Sequence, residues 1–363
     1  MAAARPTAND RIAGVDLARA LAFVGMLMVH IGPTSGRGLA GALYALPHGR
    51  ASVLFVLVAG MGVSLLARSG LPPWAVRRRL IWRSLVLLPL GLALQELDHP
   101  VLVILQEYAV LFLLGAVTFR LPARWLLFLS LLAGLFGPVA FLAGRLADPV
   151  RFSRAAVSLS DSPGDIVHGL ILSGPYPLVT WACPFLLGMW LARHDLRSRS
   201  VRAAMVGLGA LAAVGTAGLS RWLVATVFGP GRVWGWAQLA TDGPHSQMPL
   251  WLFGSAGAAA MVLGLALVVA DALGRRAWPM VAVGRMALTL YAGHLLLLHW
   301  AGPELRTPFV VEAFIEVIAI VLVSVLFSVA WLARYPRGPL EAVIRLPQFA
   351  SEGTGGAKGA DTP

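Results

Sequence analysis

Residues 14–32 read GVDLARALAFVGMLMVHIG, an apolar run that contains three ionisable side chains, Asp16, Arg19 and His30. A run of about 20 predominantly apolar residues is long enough to cross a membrane as a helix. A signal peptide is disfavoured, because Asp16 and Arg19 interrupt the run and no convincing small-residue cleavage site follows it. Ionisable groups within a spanning helix need polar partners, so they indicate a functional surface inside the protein.

The composition places the chain among membrane proteins. Of its 363 residues, 58% are hydrophobic and 13% are charged, whereas soluble domains are about half apolar and a quarter charged. The single cysteine, Cys183, leaves no disulfide framework and no thiolate metal site. The net charge of +12 comes from arginines in loops between apolar runs, so we expect no nucleic-acid partner.

We predict an all-α polytopic integral membrane protein, a bundle of about ten transmembrane helices. The predicted spans are 12–31, 49–68, 79–96, 100–119, 124–146, 171–193, 203–225, 250–271, 279–300 and 308–333. Residues 1–11 are then a cytoplasmic N-terminal tail and 12–333 the ten-span domain. Residues 334–363 form a cytoplasmic C-terminal segment whose polar, Gly-rich end is disordered.

The distribution of arginine predicts the orientation of the chain. Arginines are concentrated in one alternating set of loops, and loops with such an excess lie in the cytoplasm. Both termini are therefore predicted to be cytoplasmic, in a multi-pass protein of the plasma membrane. In this orientation every histidine except His194 lies toward the outer face.

Asp16, Arg19 and His30 are predicted to share one side of their helix. Successive residues of an α-helix turn by about 100°, so the spacing of Arg19 and His30 brings them within about 20° of each other. Asp16 falls about 60° to the other side, where it can pair with Arg19 or hold a neighbouring helix. Arg19 and His30 are roughly 16 Å apart along the axis. The stripe thus places a fixed charge near the cytoplasm and a base near the outer surface.

Several stretches together resemble a family of membrane-bound acyltransferases that modify sugars. Asp16-Leu-Ala-Arg19, followed by ten residues and His30, resembles the Arg-x10-His motif of their first span. HGRASVLFVLVAGMGVSLL and VLVILQEYAVLFLLGA resemble two further spans of heparan-alpha-glucosaminide N-acetyltransferase-related proteins and their YeiB-like bacterial relatives. VGRMALTLYAGHLLLLHW and RYPRGPLEAVIRL resemble the C-terminal signature of the YeiB-like group. The resemblance extends from about residue 11 to residue 346.

The resemblance implies transfer of an acyl group, commonly acetyl, from cytoplasmic acetyl-CoA to a sugar or glycoconjugate amine or hydroxyl at the outer face. Acyl-CoA is then a substrate, and we expect neither a bound cofactor nor a metal ion. His30 is the first candidate for the base, because its imidazole titrates near neutral pH. His48 is the second candidate, as a base or as a transient acyl carrier, since the heparan-related members use a histidine in the first outer loop.

Other polar residues are expected near the acceptor. His294 can orient the acceptor, or be a core histidine satisfied by a neighbour. Arg50 can bind an anionic acceptor or extend to the membrane interface. Gln106, Glu107 and Glu312 lie at a similar depth in the membrane, where they suggest a polar chamber that opens outward.

The donor site is expected on the cytoplasmic side, where acyl-CoA is made. Arg77, Arg78 and Arg79, with Arg83 close behind, form the densest basic cluster, which suits CoA phosphates or anionic lipid head groups. Arg19 lies deeper and is a candidate contact for the pantetheine or phosphate end of the donor. Membrane lipids and acyl-CoA are the expected partners, and a homodimer is a candidate assembly.

Two other functions are compatible with the same residues. A transporter or exporter of a small anionic or lipid-linked substrate would also need intramembrane imidazoles and carboxylates as a proton relay. The Gly/Pro-rich stretch LSGPYPLVTWACP resembles an interrupted helix of a transporter, but no matching half follows. The third hypothesis is a non-catalytic membrane partner. The sequence has no Gly-rich phosphate loop and no HExxH motif, which disfavours nucleotide or metal-dependent hydrolysis.

Overall fold

A computed structural model describes residues 12–34, 38–229, 231 and 233–345. The predicted N-terminal tail 1–11 and the predicted disordered end of the chain, from residue 346 onward, lie outside the described residues. Every regular element within the described ranges is a helix, so the predicted all-α class is confirmed for them.

The described part of the chain contains fourteen α-helices, named α1 to α14 in chain order. They are Ala13–Ile31, Gly38–Tyr44, Ala51–Ala67, Pro73–Gln95, Leu105–Thr118, Ala123–Ala147, Pro163–Ile171, Leu178–Leu191, Arg199–Leu223, Pro249–Leu273, Trp278–Arg285, Ala287–Ala301, Val310–Arg334 and Pro339–Val343. A π-helical turn continues α9 over Val224–Phe228, and 3-10 turns lie at Gly235–Ala240, Gly274–Ala277 and Gly302–Leu305.

Five helical stretches are long and apolar enough to cross a membrane. They are Ala13–Ile31, Ala123–Ala147, Arg199–Phe228, Pro249–Arg285 and Val310–Arg334. Four shorter apolar helices accompany them, Ala51–Ala67, Leu105–Thr118, Leu178–Leu191 and Ala287–Ala301. Each predicted span overlaps a helix, while the number of spans and the direction of the chain in the membrane stay predictions.

The predicted ninth span, 279–300, is two helices rather than one. α11 ends at Arg285 and α12 begins at Ala287, because Met286 between them leaves helical geometry at φ −112 and ψ 21. Just before the break, Gly284 lies directly against the backbone of Asp16, where a Cβ would overlap the Asp16 carbonyl. The close contact fixes α11 on α1, and the break gives α12 its own direction.

α1 lies at the centre of the bundle, where it packs against α3, α10, α11, α12 and α13. Small residues allow this close packing, since Ala18 and Ala20 are 0% exposed. Asp16 on the same helix is only 1% exposed. The polar stripe of α1 is therefore directed toward other helices, as its ionisable residues require.

α3 and α8 cross with their backbones in contact at two glycines. A Cβ on Gly60 would overlap the carbonyl of Phe185, and a Cβ on Gly188 would overlap the carbonyl of Leu57. Small residues at such crossings let two membrane helices approach closely and gain van der Waals contact. The crossing fixes α3, the helix that begins just after His48.

We expect Gly60→Ala to lower the stability of the protein by about 1–3 kcal/mol, because the added methyl forces the two helices apart. Thermal unfolding in detergent measures this as a lower Tm. Gly215→Ala on α9 is the matched control, since nothing lies within 4 Å of a Cβ at that position. Equal Tm values for the two variants would contradict the close crossing of α3 and α8.

Candidate functional site

Two histidines that are distant in sequence meet in the bundle, His30 near the end of α1 and His294 within α12. Nδ1 of His30 lies 3.1 Å from Nε2 of His294, and the rings stack with centroids 5.3 Å apart and 5° between their planes. The ring of Tyr291 packs edge-on against His294 with centroids 5.0 Å apart. One of the two nitrogens carries the proton of this 3.1 Å bond. When His30 donates it, Nε2 of His30 has the lone pair that a general base needs.

A small cavity of about 30 Å³ lies beside His30, and we call it the histidine cavity. It is lined by Met26, Val29, His30, Pro47, Gly49, Ala51, Ser52, Leu102, Ile104, Tyr176, His245 and Tyr291. This volume holds about one water molecule or one group of similar size. His48 is absent from the residues that line it.

His245, which was not identified as a site residue from the sequence, lines the histidine cavity together with His30. The loop before α10 adopts left-handed backbone angles at His245 (φ 54) and Gln247 (φ 66), a conformation that few non-glycine residues adopt. The Gln247 side chain is 0% exposed. Its Oε1 accepts hydrogen bonds from Thr180 and Trp181 at 3.0 and 2.9 Å, and its amide donates to the Pro175 carbonyl at 2.7 Å. These three bonds fix the loop.

Aromatic rings surround the imidazole of His245. The centroids of Trp251, His48 and Tyr176 lie 5.7, 5.8 and 5.9 Å from that of His245. Burial, together with the charges of His48 and Arg154, lowers the pKa of His245 to about 4. Burial likewise lowers the pKa of His48. Both loop imidazoles are therefore neutral at pH 7. His48 packs against His245 and does not itself line the histidine cavity.

A larger cavity of about 420 Å³ lies on the other side of Tyr291, near the start of α1 and α4 and the segment after α13. Six of the residues that line it are arginines, so we call it the arginine cavity. They are Arg19, Arg79, Arg83, Arg285, Arg337 and Arg345. Apolar side chains, among them Phe55, Leu105 and Phe112, line the rest.

The arginine cavity carries net positive charge. Arg19 is bonded to Asp16 at 2.5 Å, with the Asp16 side chain 2% exposed. Glu341 is the carboxylate in the wall. It accepts hydrogen bonds from the backbone N–H groups of Leu288 and Thr289 at 2.8 and 3.1 Å and from the Thr289 hydroxyl at 2.6 Å. Glu341 thus shares the wall with six guanidinium groups, one of which is bonded to Asp16, and this environment favours a phosphate-bearing anion.

The two cavities share a wall formed by Met26, Ile104 and Tyr291, which line both. The Tyr291 hydroxyl oxygen accepts a hydrogen bond from the backbone N–H of Ile104 at 3.3 Å, which leaves the hydroxyl proton free to be donated. Arg19 lines the cavity on one side of this wall and His30 the cavity on the other. The stripe along α1 therefore connects the two compartments.

The predicted basic cluster divides between the surface and the arginine cavity. Arg77 and Arg78 are exposed, and the Arg78 guanidinium lies over the Trp74 ring at 5.3 Å. Arg79 lines the cavity together with Arg83. Positions 79 and 83 are four residues apart and share one face of α4, whereas 77 and 78 point elsewhere.

Four other predicted residues line neither cavity. Gln106 and Glu107, at the start of α5, are each 2% exposed, and Oε1 of each has no hydrogen-bond partner among the described residues. Glu312 begins α13 at the surface and accepts a hydrogen bond from the Thr307 hydroxyl at 2.7 Å. Arg50 donates to a backbone carbonyl of its own turn at 3.0 Å.

Arg285, Arg337 and Arg345 were not identified as site residues from the sequence. Arg285 had a usable signal, because an arginine within a predicted span needs a partner; its Nη2 donates to the Pro336 carbonyl at 3.1 Å. Arg337 and Arg345 had none, since they were assigned to a polar tail. Glu341 brings them to the cavity by binding the start of α12.

The acid stability of the protein should depend on His245. The folded state keeps a pKa of about 4 against the ordinary 6.5, so the unfolded chain binds the extra proton below pH 6.5. Stability therefore falls with pH from 6.5 toward 4, by at most about 1.4 kcal/mol per pH unit. We expect the Tm to differ less between pH 7.5 and pH 5 in His245→Asn than in the wild-type protein. Asparagine is chosen because it tolerates left-handed backbone angles. His168→Asn is the control, and an unchanged difference in His245→Asn contradicts this assignment.

Comparison with known protein families gives a match to the C-terminal part of the chain. Residues 208–348 match a family described as a protein of unknown function (DUF418), a family of membrane proteins. No curated protein matches the sequence. The matched region, under half of the chain, runs from α9 to just beyond α14. It includes His245, Tyr291, Arg285, Arg337 and Arg345, so both cavities take part of their walls from it.

Proposed function

We propose that the protein is a membrane-bound acyltransferase that moves an acyl group, acetyl in the simplest case, from acyl-CoA to a sugar or glycoconjugate hydroxyl or amine. One observation carries this proposal. A cationic cavity suited to a phosphate-bearing donor shares a wall with a small cavity lined by His30, whose imidazole is paired with that of His294. A thioester that enters from one side and a nucleophile that enters from the other would meet at Tyr291.

The arginine cavity supplies what the donor needs. Arg83 lies within electrostatic range of Arg19 and Arg79, and the mutual repulsion of these like charges falls when an anion binds among them. Guanidinium groups bind phosphate oxygens through paired hydrogen bonds. The apolar part of the wall, with Phe55 and Leu105, suits the pantetheine arm.

The imidazole pair supplies the base. The acceptor hydroxyl or amine gives its proton to Nε2 of His30 while its oxygen or nitrogen bonds to the acyl carbon. The carbon–sulfur bond then breaks, and the sulfur takes the proton from His30. The products are an ester or amide and free CoA thiol. His294 accepts the Nδ1–H of His30 and so keeps the ring in the basic tautomer.

Tyr291 suits the role of oxyanion donor. Negative charge develops on the acyl oxygen as the nucleophile attacks, and a hydrogen bond aimed at that oxygen lowers the barrier. The Tyr291 hydroxyl lies in the shared wall and receives its own hydrogen bond from Ile104, so its proton is available. The predicted orientation places the donor in the cytoplasm and the acceptor outside, at the plasma membrane.

A transporter of a small anionic or lipid-linked substrate is the second candidate. The buried Gln106 and Glu107, whose Oε1 atoms lack hydrogen-bond partners among the described residues, favour it, because a proton-coupled transporter needs such groups. Two cavities separated by one side-chain layer would also suit passage from one face to the other.

Loss of the base should abolish acyl transfer. We expect His30→Gln to reduce transfer at least 100-fold, since general base catalysis contributes about 10²–10⁴-fold. His294→Gln should reduce it by up to about 100-fold through misplacement of His30. Proteoliposomes with labelled acetyl-CoA, glucosamine and methyl glucoside measure the label on the sugars. His194→Gln, which lines neither cavity, is the control.

If wild-type protein never moves the label from CoA to a sugar, the acyltransferase proposal is wrong. Sugar flux across the vesicle that persists in the His30→Gln protein would then favour transport. Full activity in His30→Gln would reject the base assignment alone.

CoA binding should depend on only two of the four arginines of α4. We expect Arg79→Gln and Arg83→Gln to weaken CoA binding by about 10- to 100-fold, because each removes a charge-assisted hydrogen bond worth about 1.5–3 kcal/mol. Arg77→Gln and Arg78→Gln are matched controls on the exposed face and should leave the Kd unchanged. Calorimetry with CoA and with phosphate-free pantetheine measures this. Weaker CoA binding in the two controls instead would place the donor on the surface cluster.

A further inference from the structure

The histidine cavity is too small for a sugar ring. Its volume of about 30 Å³ holds one water-sized group. His30, His245, Ser52 and Tyr176 supply polar side chains to its lining. A group that enters must therefore be the tip of a larger molecule whose body stays on the outer side.

Ser52 offers an unused hydrogen bond in this cavity. The residue is 7% exposed, and its Oγ has no hydrogen-bond partner among the described residues. A buried hydroxyl without a partner is destabilising, and a bound hydroxyl or amine would supply the missing bond. The orphaned oxygen thus points to a polar ligand rather than to an apolar one.

His245 faces the same cavity from a fixed position. The three hydrogen bonds of Gln247 hold its loop, and the rings of Trp251 and Tyr176 pack on its imidazole. His48 lies behind it. Left-handed backbone angles at a non-glycine residue are uncommon and concentrate at functional sites, where the surrounding structure imposes them.

We infer that Ser52 and His245 form the binding site for the nucleophilic group of the acceptor, and that this group is a hydroxyl or amine on an unhindered methylene. The inference rests on the proposed acyl transfer. The two side chains hold the group opposite His30 by hydrogen bonds. A hydroxyl attached directly to a ring fits less well, because two ring carbons, rather than one methylene, must then approach the mouth of this small cavity.

The test compares two sugars that differ by one group. Methyl glucoside carries a primary hydroxyl on a methylene, and methyl xyloside has the same ring without it. Proteoliposomes with labelled acetyl-CoA should label methyl glucoside at least tenfold faster than methyl xyloside. Ser52→Ala and His245→Asn should raise the KM for methyl glucoside at least tenfold and leave the KM for acetyl-CoA unchanged. His168→Asn, outside the cavity, is the matched control.

Equal labelling of the two sugars, or unchanged KM values in both variants, would overturn the inference. A second readout separates its failure from that of the proposed function. Methyl glucoside should slow the modification of His245 by diethyl pyrocarbonate in wild-type protein but not in Ser52→Ala, as mass spectrometry measures. Protection without any transfer would support the subsite and reject the acyltransferase. The absence of both protection and transfer would reject both.

Discussion

The contact of α11 with α1 is the constraint on which both cavities depend. At Gly284 no side chain separates the two backbones, so α11 ends directly on the first turn of α1. The break at Met286 then redirects α12, which places His294 against His30 and leaves Arg285 in the wall beside Arg19. A side chain at position 284 would move both compartments together, because packed helices shift as rigid bodies.

The division of charge along α1 follows from the physics of burial. Guanidinium groups stay charged under all physiological conditions, so an apolar bundle tolerates several of them only beside carboxylates or a bound anion. Imidazoles near neutrality can be buried without charge. The arginine cavity is thus suited to hold a charged molecule, and the histidine cavity to handle a proton. The layer of Met26, Ile104 and Tyr291 keeps these two environments apart.

The candidate site was predictable where it depends on local geometry and not where it depends on distant contacts. Helical periodicity places Arg19 and His30 on one side of α1, and the structure has them in two cavities that share a wall. Helical periodicity does not reveal that His294 is the partner of His30, since 264 positions separate the two residues. Nor does composition separate Arg79 and Arg83 from Arg77 and Arg78, because only the rotation of α4 against its neighbours decides which of them face inward.

By itself, the sequence determined the helical class and the places of the helices. Long apolar runs in a membrane can satisfy their backbone hydrogen bonds only within a helix. The sequence also determined that α1 has a polar stripe, since every α-helix repeats at 3.6 residues per turn. Only the tertiary structure decided which polar groups meet. His245 is fixed by Gln247 through bonds to Thr180, Trp181 and Pro175, and Glu341 brings the C-terminal arginines to the cavity. Such contacts depend on how helices pack, which no local pattern encodes.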